Sequence, residues 1–405
     1  MKTADQLLVK QINKMLVLNT IYKEKLSSRA DTAKITGLNK STVSALVEEL
    51  LSEDLILETG TGESQGGRKP INLCINKNIG SVIGIDFGVN YILSILTNFY
   101  GEIIWKKRIA SKNIAESPQK KMDDLFDLIQ ETIEQAPSTK RGIIGIGMGV
   151  PGIVNYDQGI ILFAPNLLWS NVNLKEIVED KFAISTLIDN EANAGAIGEK
   201  WFGSGQKASE IIYVSAGTGI GAGIIIRNEL YRGSQGLAGE IGHMTIEVDG
   251  IKCACDNVGC WEEYASEKAL IRYLKDNAKR YPDSILLAKD GSQNVDNLNI
   301  FQVIDAAEKD DTLAIEGFKH IGRYLGVGVA NLINAFNPEC VVIGNVLPLA
   351  GDILMDELRK EVARRCFSYQ YHNIKILSSE LYMNTCALGA TALVISRFYA
   401  HPFNL

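Results

Sequence analysis

One histidine and three cysteines stand in the pattern His243-x9-Cys253-x-Cys255-x4-Cys260. Three soft thiolates and one imidazole are a donor set that suits tetrahedral Zn²⁺. Gly259, inside the last interval, lets the backbone fold around a single ion. Four protein ligands close such a site, so the zinc would be structural rather than a source of bound hydroxide. The plainer alternative is three structural thiols and a satisfied core histidine. Cysteines this dense are uncommon in reduced proteins, which favours the metal. Cys74, Cys340, Cys366 and Cys386 are scattered in apolar surroundings, which argues against a disulfide scaffold.

A second group is suited to hydrogen bonding. Asn39, Lys40, Ser41, Thr42 and Ser44 open a helical stretch with no carboxylate before Glu48. A recognition helix points this end at base edges, where short polar side chains find partners and a carboxylate would meet phosphate repulsion. Arg68 and Lys69, in Gly66-Gly67-Arg68-Lys69-Pro70, place two cations on flexible backbone suited to a phosphate or a minor groove.

The elements needed to position these residues can be read around them. Residues 5–22 are expected to be helical, with Leu8, Ile12, Met15 and Leu16 on the inward face. Ser27 is the expected cap of a short helix over 29–35, and Thr36-Gly37-Leu38 supplies a tight turn. Asn39 caps a third helix to about Leu51, with Val43, Leu46, Val47 and Leu50 inward. Two strand-like runs, 55–59 and 70–74, flank a polar tip over 60–69. Residues 1–75 therefore read as a winged helix-turn-helix DNA-binding domain, with a small helical docking module as the alternative.

A chain of 405 residues has room for two or three domains. At 46% hydrophobic and 22% charged it is not a disordered chain. The net charge of −7 argues against nucleic acid or anionic lipid coating the whole surface. The first 70 residues carry +1 and the rest −8, which leaves room for one basic face near the start. No cationic segment leads into an apolar one, and the uncharged run 211–226 is too short and too glycine-rich to span a bilayer. The expectation is a cytoplasmic protein without a membrane partner.

Beyond residue 75, β-type runs at 81–86, 91–97, 103–109 and 143–149 alternate with helical ones such as 120–135, an α/β pattern. Val82-Ile83-Gly84-Ile85-Asp86-Phe87-Gly88 and residues 213–223 each read as strand, glycine-rich turn, strand, where backbone N–H groups could meet phosphate. Used twice about 130 residues apart, the device suggests a duplicated, two-lobed fold.

From about Ile83 the sequence resembles the ROK family (repressors, open reading frames and sugar kinases). The resemblance is carried by residues 84–88, Asp189-Asn190-Glu191-Ala192-Asn193, 217–223, Ala238-Gly239-Glu240-Ile241-Gly242-His243, 253–262, and Asn337-Pro338 running to Gly344. It implies an actin/hexokinase-like domain. Lobe I would span 76–190, with a C-terminal helix at about 386–405 returning to it. Lobe II would span 191–385 and carry the zinc and sugar residues. In the resembling kinases the positions of Asn190, Glu191, Glu240, His243 and Glu262 bind sugar hydroxyls, and carboxylates are apt for that because they accept charge-assisted hydrogen bonds. The bland reading makes Glu240 and Glu262 surface charges. Glu263 is assigned to solvent.

The departures from the kinase pattern matter as much. Glu191 stands where the kinases place an aspartate general base. Gly88-Val89-Asn90 replaces a Gly-Gly-Thr-type turn, putting a β-branched side chain where phosphate needs close backbone approach. Asn345 replaces a glycine near the nucleotide, and Asp256 replaces a glycine in the cysteine loop. Only the second loop is intact, and phosphoryl transfer depends on positioning, so the expectation is no enzyme. With the winged helix attached, the resemblance implies a repressor, a homodimer or higher homo-oligomer, that releases operator DNA when a sugar, xylose or else glucose, binds between the lobes. A sixth carbon is absent from xylose, and the longer side chain of Glu191 could fill its place. The rival is a glucokinase-like sugar kinase with an appended DNA-binding domain.

Overall fold

A computed structural model describes residues 6–61, 70–111, 118–287, 295 and 298–400. Three helices come first: α1 (Gln6–Glu24), α2 (Arg29–Thr36) and α3 (Lys40–Ser52). The N-cap of α2 is Ser28 rather than the expected Ser27. Its hydroxyl accepts from the Asp31 amide at 3.2 Å, and Asp31 accepts in return from the Ser28 amide at 3.3 Å. Ser27 is instead buried, its hydroxyl 2.9 Å from that of Thr32. Gly37 ends α2 at φ 71°, its amide donating to the Ala33 carbonyl, a left-handed turn that glycine takes without a Cβ penalty. Asn39 caps α3 by accepting from the Thr42 amide at 2.7 Å, and Val43, Leu46, Val47 and Leu50 are buried.

The inward face of α1 differs from expectation. Val17, Leu18 and Ile21 are buried, whereas Ile12 and Leu16 are 53% and 41% exposed. Met15-Leu16-Val17-Leu18 is apolar all round, so periodicity alone cannot select a face. Lys14 shares the buried stripe because its ammonium reaches Glu53 at 2.6 Å.

A three-stranded antiparallel sheet, in the order β1-β3-β2, completes this unit: β1 (Ser27–Ser28), β2 (Ile56–Thr61) and β3 (Ile71–Ile75). The unit shares a core with the rest of the chain. Val17, Leu18, Ile21, Val47 and Leu50 cluster with Phe99, Val394, Phe398 and Tyr399.

Two five-stranded sheets follow. The first comprises β4 (Ser81–Asp86), β5 (Tyr91–Thr97), β6 (Ile103–Ala110), β7 (Ile143–Val150) and β11 (Thr186–Asn190), in the order β11-β7-β4-β5-β6. A small meander lies between β7 and β11: β8 (Ile153–Asn155), β9 (Ile160–Ala164) and β10 (Trp169–Val172). The second sheet comprises β12 (Ile211–Ala216), β13 (Ile220–Ile226), β14 (Glu229–Leu230), β15 (Cys340–Gly344) and β16 (Lys375–Ser378), in the order β14-β13-β12-β15-β16. In each sheet an antiparallel three-strand meander is extended by two parallel strands. The topology is the same device used twice.

Helices α4 (Pro118–Glu134) and α5 (Leu174–Phe182) serve the first sheet. Helix α6 (Glu191–Trp201) leaves the end of β11 and packs on β12 and β13 of the second sheet. Against the second sheet and one another lie α7 (Glu262–Ala265), α8 (Glu267–Asn277), α9 (Ile300–Glu308), α10 (Thr312–Phe336) and α11 (Asp352–Arg365), followed by the short α12 (Ser368–Asn373). Helix α13 (Thr385–Ala400) returns to pack on β4, β7 and α6. Among the described residues no helix is long and apolar enough to cross a membrane.

Candidate functional site

The cysteine loop is shaped by its backbone. Gly259, at φ 75°, leaves no room for a side chain, since a Cβ there would lie 1.7 Å from the Glu247 carbonyl. Asp256 also adopts the left-handed conformation, at φ 69°, which Asp tolerates better than most residues. The Cys253 amide donates to the Asn257 carbonyl at 2.9 Å and the Gly259 amide to Ile251 at 2.8 Å. These turns bring the donor atoms of His243, Cys253, Cys255 and Cys260 within 4.8 Å of one another, a group able to hold a metal ion. The Cys255 and Cys260 sulfurs are 3.6 Å apart, as are the Cys253 sulfur and His243 Nδ1. Trp261, the next residue, is buried and anchors the loop on α10 by donating to the Tyr324 carbonyl at 2.8 Å.

Glu262, at the start of α7, ties this loop to the cleft. One carboxylate oxygen lies 3.2 Å from the Cys253 sulfur and 3.5 Å from His243 Nδ1. The other borders Gly219 at the tip of the second glycine-rich loop. Glu263 is not given over to solvent: it pairs with Arg272 at 3.5 Å, because α8 brings that guanidinium beside it.

Glu191 opens α6 at the far side. Its carboxyl is pushed up to about 8, first by burial and then by the neighbouring Asp86 and Glu240 carboxylates. Asp86, at the end of β4, is pushed up to about 6 by burial, against hydrogen bonds from Tyr91 and Cys386. Tyr91 donates to it at 2.8 Å. Both carboxyls line one pocket with Tyr213, Ser215, Asn345 and Cys386. Asn190 is the N-cap of α6, accepting from the Ala192 amide at 2.8 Å and donating to the Gly152 carbonyl at 3.0 Å. Much of its hydrogen-bonding capacity is thus spent on the turn. Glu240 sits three residues before His243, whose amide donates to its carbonyl at 3.2 Å, and feels the charges of both His243 and Glu262. Asn190 and Glu191 are thus adjacent at the start of α6 and Glu262 lies against His243. Glu240 is exposed and is linked to Glu191 and Glu262 only through the charges their carboxyls exert on one another.

The two glycine-rich turns are differently furnished. Lys121 of α4, buried, donates to the Gly88 and Val89 carbonyls at 2.6 and 2.7 Å and lies over the Phe87 ring. Burial lowers its ammonium to about 8, with Asp124 opposing. In the second turn the Asn345 amide lies over Gly217 and donates to Ser215 at 3.1 Å.

On the N-terminal unit, Asn39, Lys40 and Ser41 are exposed at the start of α3, while Thr42 and Ser44 are half-buried. The Asn39 side-chain oxygen also accepts from the Ser41 hydroxyl at 2.8 Å. Arg68 and Lys69 lie outside the described residues.

Sequence reasoning did not single out Asp86, Tyr91, Lys121, Asp189 or Arg232. An acid closing an all-apolar strand, as in Gly84-Ile85-Asp86 and Leu187-Ile188-Asp189, was a signal for two of them. Nothing local marks Arg232.

Two sheets of shared topology flanking an acidic cleft, with a histidine–cysteine cluster beside it, define the architecture. The ROK family model matches residues 82–397, and the chain belongs to that family. It is 46% identical to the xylose repressor of Caldicellulosiruptor bescii over 98% of each chain. A solved ROK family transcriptional regulator, described as a homologue of the E. coli Mlc protein, superposes with a TM-score of 0.81 at 27% identity, covering 96% of this chain and 97% of that one. A ROK family glucokinase from Streptomyces griseus, solved with glucose and AMPPNP, superposes with a TM-score of 0.71 at 32% identity. That match covers 78% of this chain and 99% of the kinase.

Proposed function

We propose that the protein is a sugar-responsive transcriptional repressor, homodimeric and cytoplasmic, that releases operator DNA when xylose binds the cleft. The observation that carries this reading is the extent of the likeness. The repressor match runs through the N-terminal unit, whereas the whole glucokinase is used up on 78% of this chain.

In this reading residues 1–75 are a winged helix-turn-helix. The start of α3 presents Asn39, Lys40, Ser41, Thr42 and Ser44 to the major groove, and Arg68 and Lys69 act from the wing. Two copies would meet two half-sites of a pseudo-palindromic operator. Lobe I is 76–190 with α13 returned to it, and lobe II is 191–385. His243, Cys253, Cys255 and Cys260 would hold Zn²⁺. Two thiolates at ~2.3 Å from one zinc stand about 3.8 Å apart in a tetrahedron, close to the 3.6 Å between Cys255 and Cys260. The ion would be structural, fixing His243 and Glu262 against the sugar. Catalysis is disfavoured by the departures from the kinase pattern at Glu191, Val89 and Asn345, since phosphoryl transfer depends almost entirely on positioning.

Helix α6 offers a route from sugar to DNA. It begins at Glu191 and ends at Trp201, about 15 Å away at 1.5 Å per residue. The Trp201 ring lies 5.4 Å from that of Tyr22 on α1, and the Tyr399 ring lies 4.6 Å from Tyr22. Closing the cleft on sugar would shift this aromatic contact and the spacing of paired α3 helices.

Titrating the operator complex with free pentoses and hexoses tests the reading. Xylose should lower operator affinity roughly 5–150-fold, the usual span of allosteric coupling, and binding should fall steeply with salt as phosphate contacts are lost. A complex indifferent to every monosaccharide overturns the proposal, and rapid ADP release with xylose or glucose would favour the kinase. Tyr22→Leu should keep both ligand affinities within about threefold yet lose most of the coupling free energy. Paired sugar and operator titrations check this, and a wild-type induction curve in that variant rules out the α6 route.

A further inference from the structure

Two parts of the sugar cleft come from different sheets. Glu191 follows β11 of the first sheet, and Glu240 lies in the loop that follows β14 of the second. One ion pair joins them. Asp189, on β11, is 2% exposed. One of its oxygens accepts from Arg232 Nη2 at 2.6 Å and Nε at 3.2 Å. The other accepts from the Asn190 amide at 2.8 Å and the Asn193 side chain at 3.0 Å. Asp189 is therefore saturated, and its charge is balanced by a residue of the opposite sheet's loop.

Arg232 is itself held from two sides. Its guanidinium stacks on Tyr156, 3.9 Å from the ring centroid, in the meander that follows β7. Its carbonyl accepts from the Ala238 amide at 3.0 Å, closing the loop whose next residues are Gly239 and Glu240. The Gly239 carbonyl accepts in turn from Ala222 of β13. The guanidinium thus fixes the Glu240 segment relative to the Asn190-Glu191 turn.

We propose that Arg232 is a positioning residue of the sugar cleft, a latch that sets the Glu240 loop against the Asp189–Glu191 turn so that Glu191 and Glu240 face one ligand. This deepens the sugar-repressor reading and rests on it. An arginine fits the task better than a lysine, since it donates two hydrogen bonds to one carboxylate and stacks its plane on an aromatic ring. A buried carboxylate without a counter-charge is strongly unfavourable, so the Glu240 loop cannot swing away without stranding Asp189.

The test uses the full-length protein and three variants, Arg232→Met, Arg232→Lys and Asp189→Asn with Arg232→Met, with xylose and glucose as calorimetric probes. Arg232→Met should weaken sugar binding by about 10–100-fold, the worth of one misplaced charge-assisted hydrogen bond, and should speed amide exchange over 232–243. Arg232→Lys should recover part of the affinity. The double variant strands no charge, so its melting temperature should recover while its sugar affinity stays low. That separation is what a merely structural ion pair would not give. Wild-type sugar affinity in the double variant overturns the latch and leaves the repressor reading intact. Should the wild type bind neither sugar, the effector reading falls, and the latch is judged on exchange alone. Unchanged protection of 232–243 in Arg232→Met would then refute it, and lost protection would sustain it.

Discussion

Cys255→Ala is expected to abolish metal retention and, with it, the sugar response, while the sugar-free protein still binds operator. Cys255 is exposed at the edge of its loop and Cys253 and Cys260 are buried, so this substitution removes a donor with little loss of packing. Structural zinc sites of this kind supply roughly 10–16 kcal/mol of apparent binding free energy, and three remaining donors hold the ion far less well. The consequence reaches the cleft through Glu262, which touches both Cys253 and His243 and borders Gly219. Without the ion, two thiols and an imidazole no longer share a centre, and the start of α7 loses its reference point. Elemental analysis should fall from one zinc per chain to none, and xylose affinity should drop by about 100-fold or more, two charge-assisted hydrogen bonds' worth. Cys366→Ala, at the end of α11 and outside the cluster, serves as the control and should change neither. A Cys255→Ala protein with a wild-type induction curve would show that metal and sugar are uncoupled.

The gathering of one histidine and three cysteines was legible because they fall within eighteen residues of one another and coordination chemistry restricts their types. The capped α3 helix was legible for a similar reason: Asn39, Gly37 and the Val43–Leu46–Val47–Leu50 stripe are local signals. The face of α1 was not, because its apolar run surrounds the helix and only the tertiary partners of Tyr22 decide which side is buried. The placing of the cap at Ser27 failed by one residue, since two adjacent serines offer the same hydroxyl and only packing decides that Ser27 meets the buried Thr32 hydroxyl while Ser28 meets the Asp31 amide. Arg232 and Asp189 lie 43 positions apart, and neither periodicity nor spacing connects them. The strand–turn–strand repeat showed the duplication, yet Lys121 binding the carbonyls of the first turn, and Asn345 lying over the second, emerge only from packing.

Glu191→Asp should shift preference from xylose toward glucose. Shortening the side chain by one methylene opens space in a pocket walled by Asp86, Tyr91, Tyr213 and Cys386. A hexose carries one hydroxymethyl group more than xylose and needs that volume. Discrimination by a single methylene is worth about 1–3 kcal/mol, or 10–200-fold, so the ratio of the two dissociation constants should move by that order. The protonation state sharpens the test. With its carboxyl raised to about 8, Glu191 is mostly neutral at pH 7 and can donate as well as accept a hydrogen bond. Because the folded state holds this proton more tightly than an ordinary carboxylate does, its contribution to stability is complete in acid and is lost as the pH climbs from the ordinary carboxylate range through about 8. Glu191→Gln, which cannot ionise, should flatten that part of the stability profile and keep the pentose preference, since it preserves both length and hydrogen-bonding capacity. Calorimetry with both sugars, paired with melting temperatures from pH 5 to 9, separates volume from charge. An unchanged preference for xylose in Glu191→Asp removes the volume argument, and a Glu191→Gln protein with the wild-type pH slope removes the proton.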